Sequence, residues 1–116
     1  MNFQLSKEEQ YNLLQVEASG FPLQHFFDNY AKELLNVYII QSSQLVLSEE
    51  DVDALKNLIP LLEANFGLVI FTGDRAIDTL CNETGSEYVI YLPTLDEAVE
   101  AVYMHELERG FRNELG

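Results

Sequence analysis

The sequence predicts a small α/β domain built on a mixed four- to five-stranded sheet with about four helices. Two short apolar runs, residues 68–71 and 88–92, are rich in β-branched and aromatic residues, and are closed by Thr72-Gly73-Asp74 and by Pro93. Two helical patterns alternate with them. The first carries Ile77, Leu80 and Cys81 and ends at Gly85; the second opens at Thr94, with Glu97 following at capping-box spacing. A strand–helix–strand–helix order calls for parallel strand pairs joined by crossover helices. The 116 residues suffice for one domain with a buried core, so a single domain over 1–116 is expected.

Residues 2–5 and 11–18 read as two strands, and the polar stretch 6–10 between them suits an antiparallel hairpin. Ser19-Gly20-Phe21-Pro22 breaks the pattern, and Pro22 fits a first helical position, where its missing N–H costs nothing. Leu23, Phe26, Phe27, Tyr30, Leu34 and Leu35 then follow helical spacing. A third strand is expected over 37–40, with an apolar loop at 45–47 behind it.

Ser48 opens the next helix as N-cap, and Asp51 answers it in capping-box fashion. Its buried stripe is expected to be Val52, Leu55, Leu58, Ile59, Leu62 and Phe66. Pro60 lies inside that stripe and is expected to kink the helix or split it near Leu58, because proline removes a backbone bond and crowds the preceding turn. The last helix, 95 to about 109, is expected to bury Leu95, Ala98, Val99, Val102, Tyr103 and Leu107, with a frayed tail over 110–116.

Composition narrows the function classes. Apolar residues make up 47% of the chain, with seven Phe and six Tyr, which argues against disorder. There is no apolar run near the ~20 residues of a membrane span, and the polar start MNFQLSKEEQ does not read as a signal peptide. A single cysteine, Cys81, excludes an internal disulfide and most cysteine-based metal sites, so a cytoplasmic location is the expectation. Twenty acidic against six basic residues give a net charge of −14, which repels nucleic acid and anionic membrane surfaces. It favours solubility first, and basic protein partners second.

The order β-β-α-β-α-β-α-β-α at this length resembles the STAS domain, the fold of bacterial anti-sigma factor antagonists (the sporulation anti-anti-sigma type) and of the cytoplasmic tails of sulfate transporters. NVYIIQSSQLVLSEEDVDALKNL stands where that family has a strand, a short loop and a helix opening on Asp-Ser-Ser-Gly, and YLPTLDEAVEAV is similar to its closing helix. The resemblance implies an interaction module whose partner is an anti-sigma factor of the serine-kinase type or another regulatory protein. In regulatory members a serine at the start of that helix is phosphorylated. In register, Ser48 takes the Asp position, Glu49 the acceptor Ser, Glu50 the second Ser and Asp51 the Gly, while Ile40 replaces the Asp that ends the preceding strand. The scaffold matches, but the acceptor is an acid.

The acidic cluster has a plain reading as a well-capped helix start, worth ~1 kcal/mol. It also has a sharper one, as a fixed stand-in for phosphoserine, although a carboxylate copies a phosphate poorly. Ser48 as a displaced acceptor is a third reading. Thr72-Gly73-Asp74 is read as a capped turn rather than a phosphate loop, since Asp74 would oppose an anion. His25 and His105 have no second ligand at helical spacing and read as surface or partly packed residues. Cys81 reads as a small core hydrophobe, with Asp78 and Glu83 close in sequence and no neighbouring base.

No catalytic, cofactor or metal set emerges, so an enzyme is not expected. The expected partner surface is Leu45, Val46, Leu47, Ser48, Glu49, Glu50, Asp51, Thr72, Gly73, Asp74 and Arg75. Acids there would steer a basic partner, and Leu45, Val46 and Leu47 would supply buried contact. Two alternatives stay open: a small-ligand or lipid carrier, since STAS domains resemble lipid-binding folds in topology, and a homodimer seeded by Phe21, Phe26, Phe111 and Tyr11.

Overall fold

The computed structural model describes residues 3–16, 37–42, 49–73 and 75–115. Five strands form one sheet: β1 (Phe3–Lys7), β2 (Asn12–Val16), β3 (Val37–Ser42), β4 (Leu68–Gly73) and β5 (Val89–Tyr91). Among the described residues there are three helices: α1 (Glu49–Asn65), α2 (Ala76–Thr84) and α3 (Leu95–Leu115). The helix read from Pro22 to Leu35 lies outside the described residues, as does His25.

The strands lie in chain order across the sheet. β1 and β2 pair antiparallel, from Phe3 opposite Val16 to Lys7 opposite Asn12. All other pairs are parallel. The chain is therefore α/β, with a hairpin at one end of an otherwise parallel sheet. β3 and β4 are the inner pair, and run without interruption from Val37 opposite Leu68 to Ser42 opposite Gly73.

Both faces of that pair are covered, which explains why its sequence is continuously apolar rather than alternating. Tyr38, Ile40, Val69 and Phe71 point to one face and pack with Leu55, Leu58 and Leu62 of α1 and Ile77 and Cys81 of α2. Val37, Ile39, Leu68 and Ile70 point to the other, under Ala98 and Val102 of α3. α1 and α2 thus share one face, and α3 covers the opposite one.

Two expectations about helices are corrected. α1 runs unbroken through Pro60. Pro60 is exposed, and buried anchors flank it on both sides, Leu55 and Leu58 before it and Leu62 after it. The carbonyl that loses its N–H partner belongs to exposed Lys56, where water can reach it, so the core holds both halves of the helix in line. α3 continues through Gly110 to Leu115, past the expected end near Arg109. Its sheet-facing stripe is Leu95, Ala98, Val99 and Val102. Tyr103 and Leu107, expected in that stripe, are 53% and 67% exposed. At roughly 100° per residue they sit about a quarter turn or more away from Val102, beyond the sheet's reach.

α3 also caps α1. Asn65 ends α1, Phe66 follows with φ +52, and the Gly67 N–H returns to the Leu62 carbonyl at 2.8 Å, the bond of a Schellman turn. A bulky side chain in the left-handed region costs about 1–2 kcal/mol. α3 supplies compensation. The Arg109 guanidinium donates to Phe66 O at 2.6 Å and to Asn65 O at 3.2 Å, and His105 Nε2 lies 2.8 Å from Phe66 O. The His105 and Phe66 rings stack at 4.1 Å, and Arg109 pairs with Glu106 at 3.2 Å. The other helix starts and stops follow local chemistry. Thr94 Oγ1 accepts from the Glu97 N–H at 3.2 Å to start α3, and Gly85, at φ +67, closes α2.

Two outcomes follow from this packing. Phe71→Ala should cost about 3–5 kcal/mol in urea unfolding, while Leu61→Ala, at an exposed position, should change stability by no more than about 0.5 kcal/mol. Arg109→Met, which keeps the apolar stem and loses both carbonyl contacts, should destabilise by about 1–2 kcal/mol.

Candidate functional site

In a parallel sheet the helices following each strand begin at the strands' carboxyl ends, and in open α/β sheets ligands bind beyond those ends. Here Gln41 lies beside Thr72 and Ser42 beside Gly73 at the ends of β3 and β4. The expected partner surface therefore gathers at one edge of the sheet: the turn Thr72, Gly73 and Arg75, and the first turn of α1 with Glu49, Glu50 and Asp51. Leu45, Val46, Leu47, Ser48 and Asp74 lie outside the described residues.

Within this edge the side chains divide. Thr72 is buried, so it serves the sheet rather than a partner. Gly73 is exposed with φ +113, a conformation that a side chain would strain, and its carbonyl accepts from the Tyr91 hydroxyl at 3.3 Å. That bond ties the turn to β5. Arg75 is exposed and is the N-cap of α2, with no side-chain capping bond. Glu49 and Glu50 are exposed and Asp51 half-buried, and all three stand in the first turn of α1, where the helix dipole favours negative charge. Ile40, at the place where the STAS pattern has an acid, is fully buried among the residues under α1.

A second feature lies at the far end of the sheet. An open cavity of about 320 Å³ is bounded by Asp78, Cys81 and Asn82 of α2, the Gly85-Ser86 turn and β5. The turn that shapes it is held internally. Thr84 Oγ1 donates to Cys81 O at 2.7 Å, and Ser86 Oγ accepts from the Tyr88 N–H at 3.0 Å.

Cys81 is buried, as its reading as a core residue expects. Burial first, and the Asp78 carboxylate second, push its thiol up to about 12. A thiol held neutral at ordinary pH is a poor nucleophile and a poor metal ligand. His105 is half-buried in the cap on α1. Among the described residues no group of three His, Cys, Asp or Glu side chains is placed to hold a metal ion, and no helix is long and apolar enough to cross a membrane.

The cap of His105 and Arg109 on Phe66 was not read from the sequence. The only sequence signal is Gly67 after α1, which invites a left-handed residue one position later than the one observed. No protein-family model matches this chain, and a search of curated proteins finds no match.

Native protein at pH 8 should react with a thiol reagent far more slowly than protein in urea, since Cys81 must be exposed before it ionises. Its contribution to pH-dependent stability has a definite sign. The folded value stands above a cysteine's ordinary value of 9.0, so the contribution is complete below pH 9.0 and is lost as pH rises from there towards about 12. Buried Tyr38, also pushed up to about 12 from 10.0, adds to the same loss. Alkaline unfolding monitored by circular dichroism should show it, and Cys81→Ala should remove the cysteine's share of the slope.

Proposed function

We propose that this chain is a non-enzymatic protein-interaction module of the STAS type. Its partner would be a regulatory protein of the anti-sigma, serine-kinase class, met at the carboxyl edge of the sheet. The observation that carries the reading is the pair of exposed carboxylates, Glu49 and Glu50, at the start of α1, on the edge where β3 and β4 end. The element order from β1 to α3 and the parallel β3–β4 pair support the STAS comparison.

A serine at position 49 would be a phosphate acceptor at a helix N-terminus, where an added dianion strongly changes local charge. Glutamate supplies one permanent negative charge there instead. The edge then presents a constant acidic surface in a chain of net charge −14, which accelerates encounter with a basic partner and rejects an acidic one. The module would be held in one binding state rather than switched. The carrier alternative draws little support from the cavity beside α2. It is open, and its wall includes the Asp78 carboxylate and the Asn82 amide, a poor lining for an acyl chain.

The test is affinity capture from a bacterial lysate with wild type and Glu49→Ser as baits, with prey and bait phosphate identified by mass spectrometry. A kinase-class regulator bound to wild type, with phosphate at position 49 only on the serine variant, is the expected result. No protein prey and no phosphate on either bait would overturn it. With the captured partner in hand, Glu49→Lys/Glu50→Lys should slow association by about 10-fold or more at low salt, with a smaller effect at high salt. Equal rates would remove this edge from the interface.

A further inference from the structure

On the face opposite α1 and α2, α3 carries an apolar stripe that the sheet does not use. Tyr103, Met104, Leu107 and Phe111 are 53%, 66%, 67% and 63% exposed. At roughly 100° per residue they fall within about a third of the helix circumference, turned away from the buried Ala98 and Val102. Scattered exposed apolar residues are ordinary, but four on adjoining positions of one helix form a patch. Exposed Glu100 lies one turn before Tyr103 and Met104, so a carboxylate borders the stripe.

We propose that this stripe is a second docking surface, and that its occupant is a basic amphipathic helix of a partner protein. Such a helix would lay apolar side chains on Leu107 and Phe111 and bring lysine or arginine towards Glu100. Two arguments select this occupant. The first is charge. A second copy of this chain would bring another net −14 and the same bordering carboxylate, whereas a basic helix meets complementary charge. The second is size. From Tyr103 to Phe111 the stripe is roughly 12 Å long. That matches about two turns of a docked helix. The surface is distinct from the acidic edge of the proposed function, so either can fail without the other.

The probe is a synthetic helical peptide of leucines and lysines in amphipathic register, with a leucine–glutamate peptide of the same pattern as control. Binding is measured by fluorescence anisotropy at physiological salt, and sedimentation equilibrium is run on the same samples. Wild type should bind the leucine–lysine peptide and not the control. Leu107→Gln/Phe111→Gln, which leaves the charge unchanged, should weaken binding by about 10-fold or more, and Glu100→Lys should weaken it less. The double variant should melt within about 3 °C of wild type, because its side chains are exposed.

Three outcomes would overturn the proposal. One is no binding of the leucine–lysine peptide, or equal binding by wild type and the double variant, which would show attraction to the acidic surface at large. Another is a wild-type dimer that the double variant dissociates, which would make a second copy the occupant. The third is a large fall in melting temperature, which would mean the stripe is covered by this chain itself.

Discussion

The constraint on which the rest of the structure depends is the parallel pairing of β3 with β4, buried on both faces. Each strand turns alternate side chains to α1 and α2 on one side and to α3 on the other, and Tyr38, Ile39, Ile40, Val69, Ile70 and Phe71 are all essentially excluded from water. A parallel pair cannot be closed by a tight turn, so α1 is obliged to cross from the end of β3 to the start of β4. The same requirement places α2 between β4 and β5. Once both helices lie on one face, the chain leaving β5 has the other face to cover, and α3 takes it.

The Phe66 cap joins these two layers at the far end of α1. The return from α1 into β4 is made in two residues, Phe66 and Gly67, and the sharpness of that turn forces Phe66 into the left-handed region. The cost is tolerable because the carbonyls of Asn65 and Phe66 are met by Arg109, and because the Phe66 ring stacks on His105 and meets Tyr88 edge-on. A cation at a helix carboxyl terminus is also favoured by the helix dipole. This contact explains why α3 stays helical past the sheet: residues after Val102 are anchored to α1 rather than to a strand. The outer side of the same segment is left with Tyr103, Met104, Leu107 and Phe111 in solvent.

The candidate edge and the core divide the polar residues between them. Glu49 and Glu50 stay in water at the helix start, where the dipole rewards them, while Thr72 is withdrawn into the sheet. Much of this edge was legible in the sequence, because a first turn of acids and a Thr-Gly-Asp turn after an apolar run are local signals. Which of those residues face solvent was not, because exposure depends on the neighbouring strand: Thr72 is covered since it lies beside Gln41 in the sheet, while Gly73 reaches the rim.

The sequence by itself determined the α/β class, the hairpin, the strand cores and the caps at Thr94 and Gly85, since each rests on interactions within a few residues: periodicity, branching at Cβ, and side-chain or left-handed caps. It also determined that Cys81 belongs inside, from its place on an apolar helical stripe. Tertiary structure decided the rest. Pro60 does not split α1, because long-range burial of Leu58 and Leu62 outweighs one missing backbone bond. Tyr103 and Leu107 are outside because they turn about a quarter of the helix circumference or more away from Val102, off the side of α3 that the sheet covers. Arg109 and His105 meet Phe66 across about forty residues of chain, a pairing that no local rule encodes and that only the packing of α3 beside the end of α1 brings about.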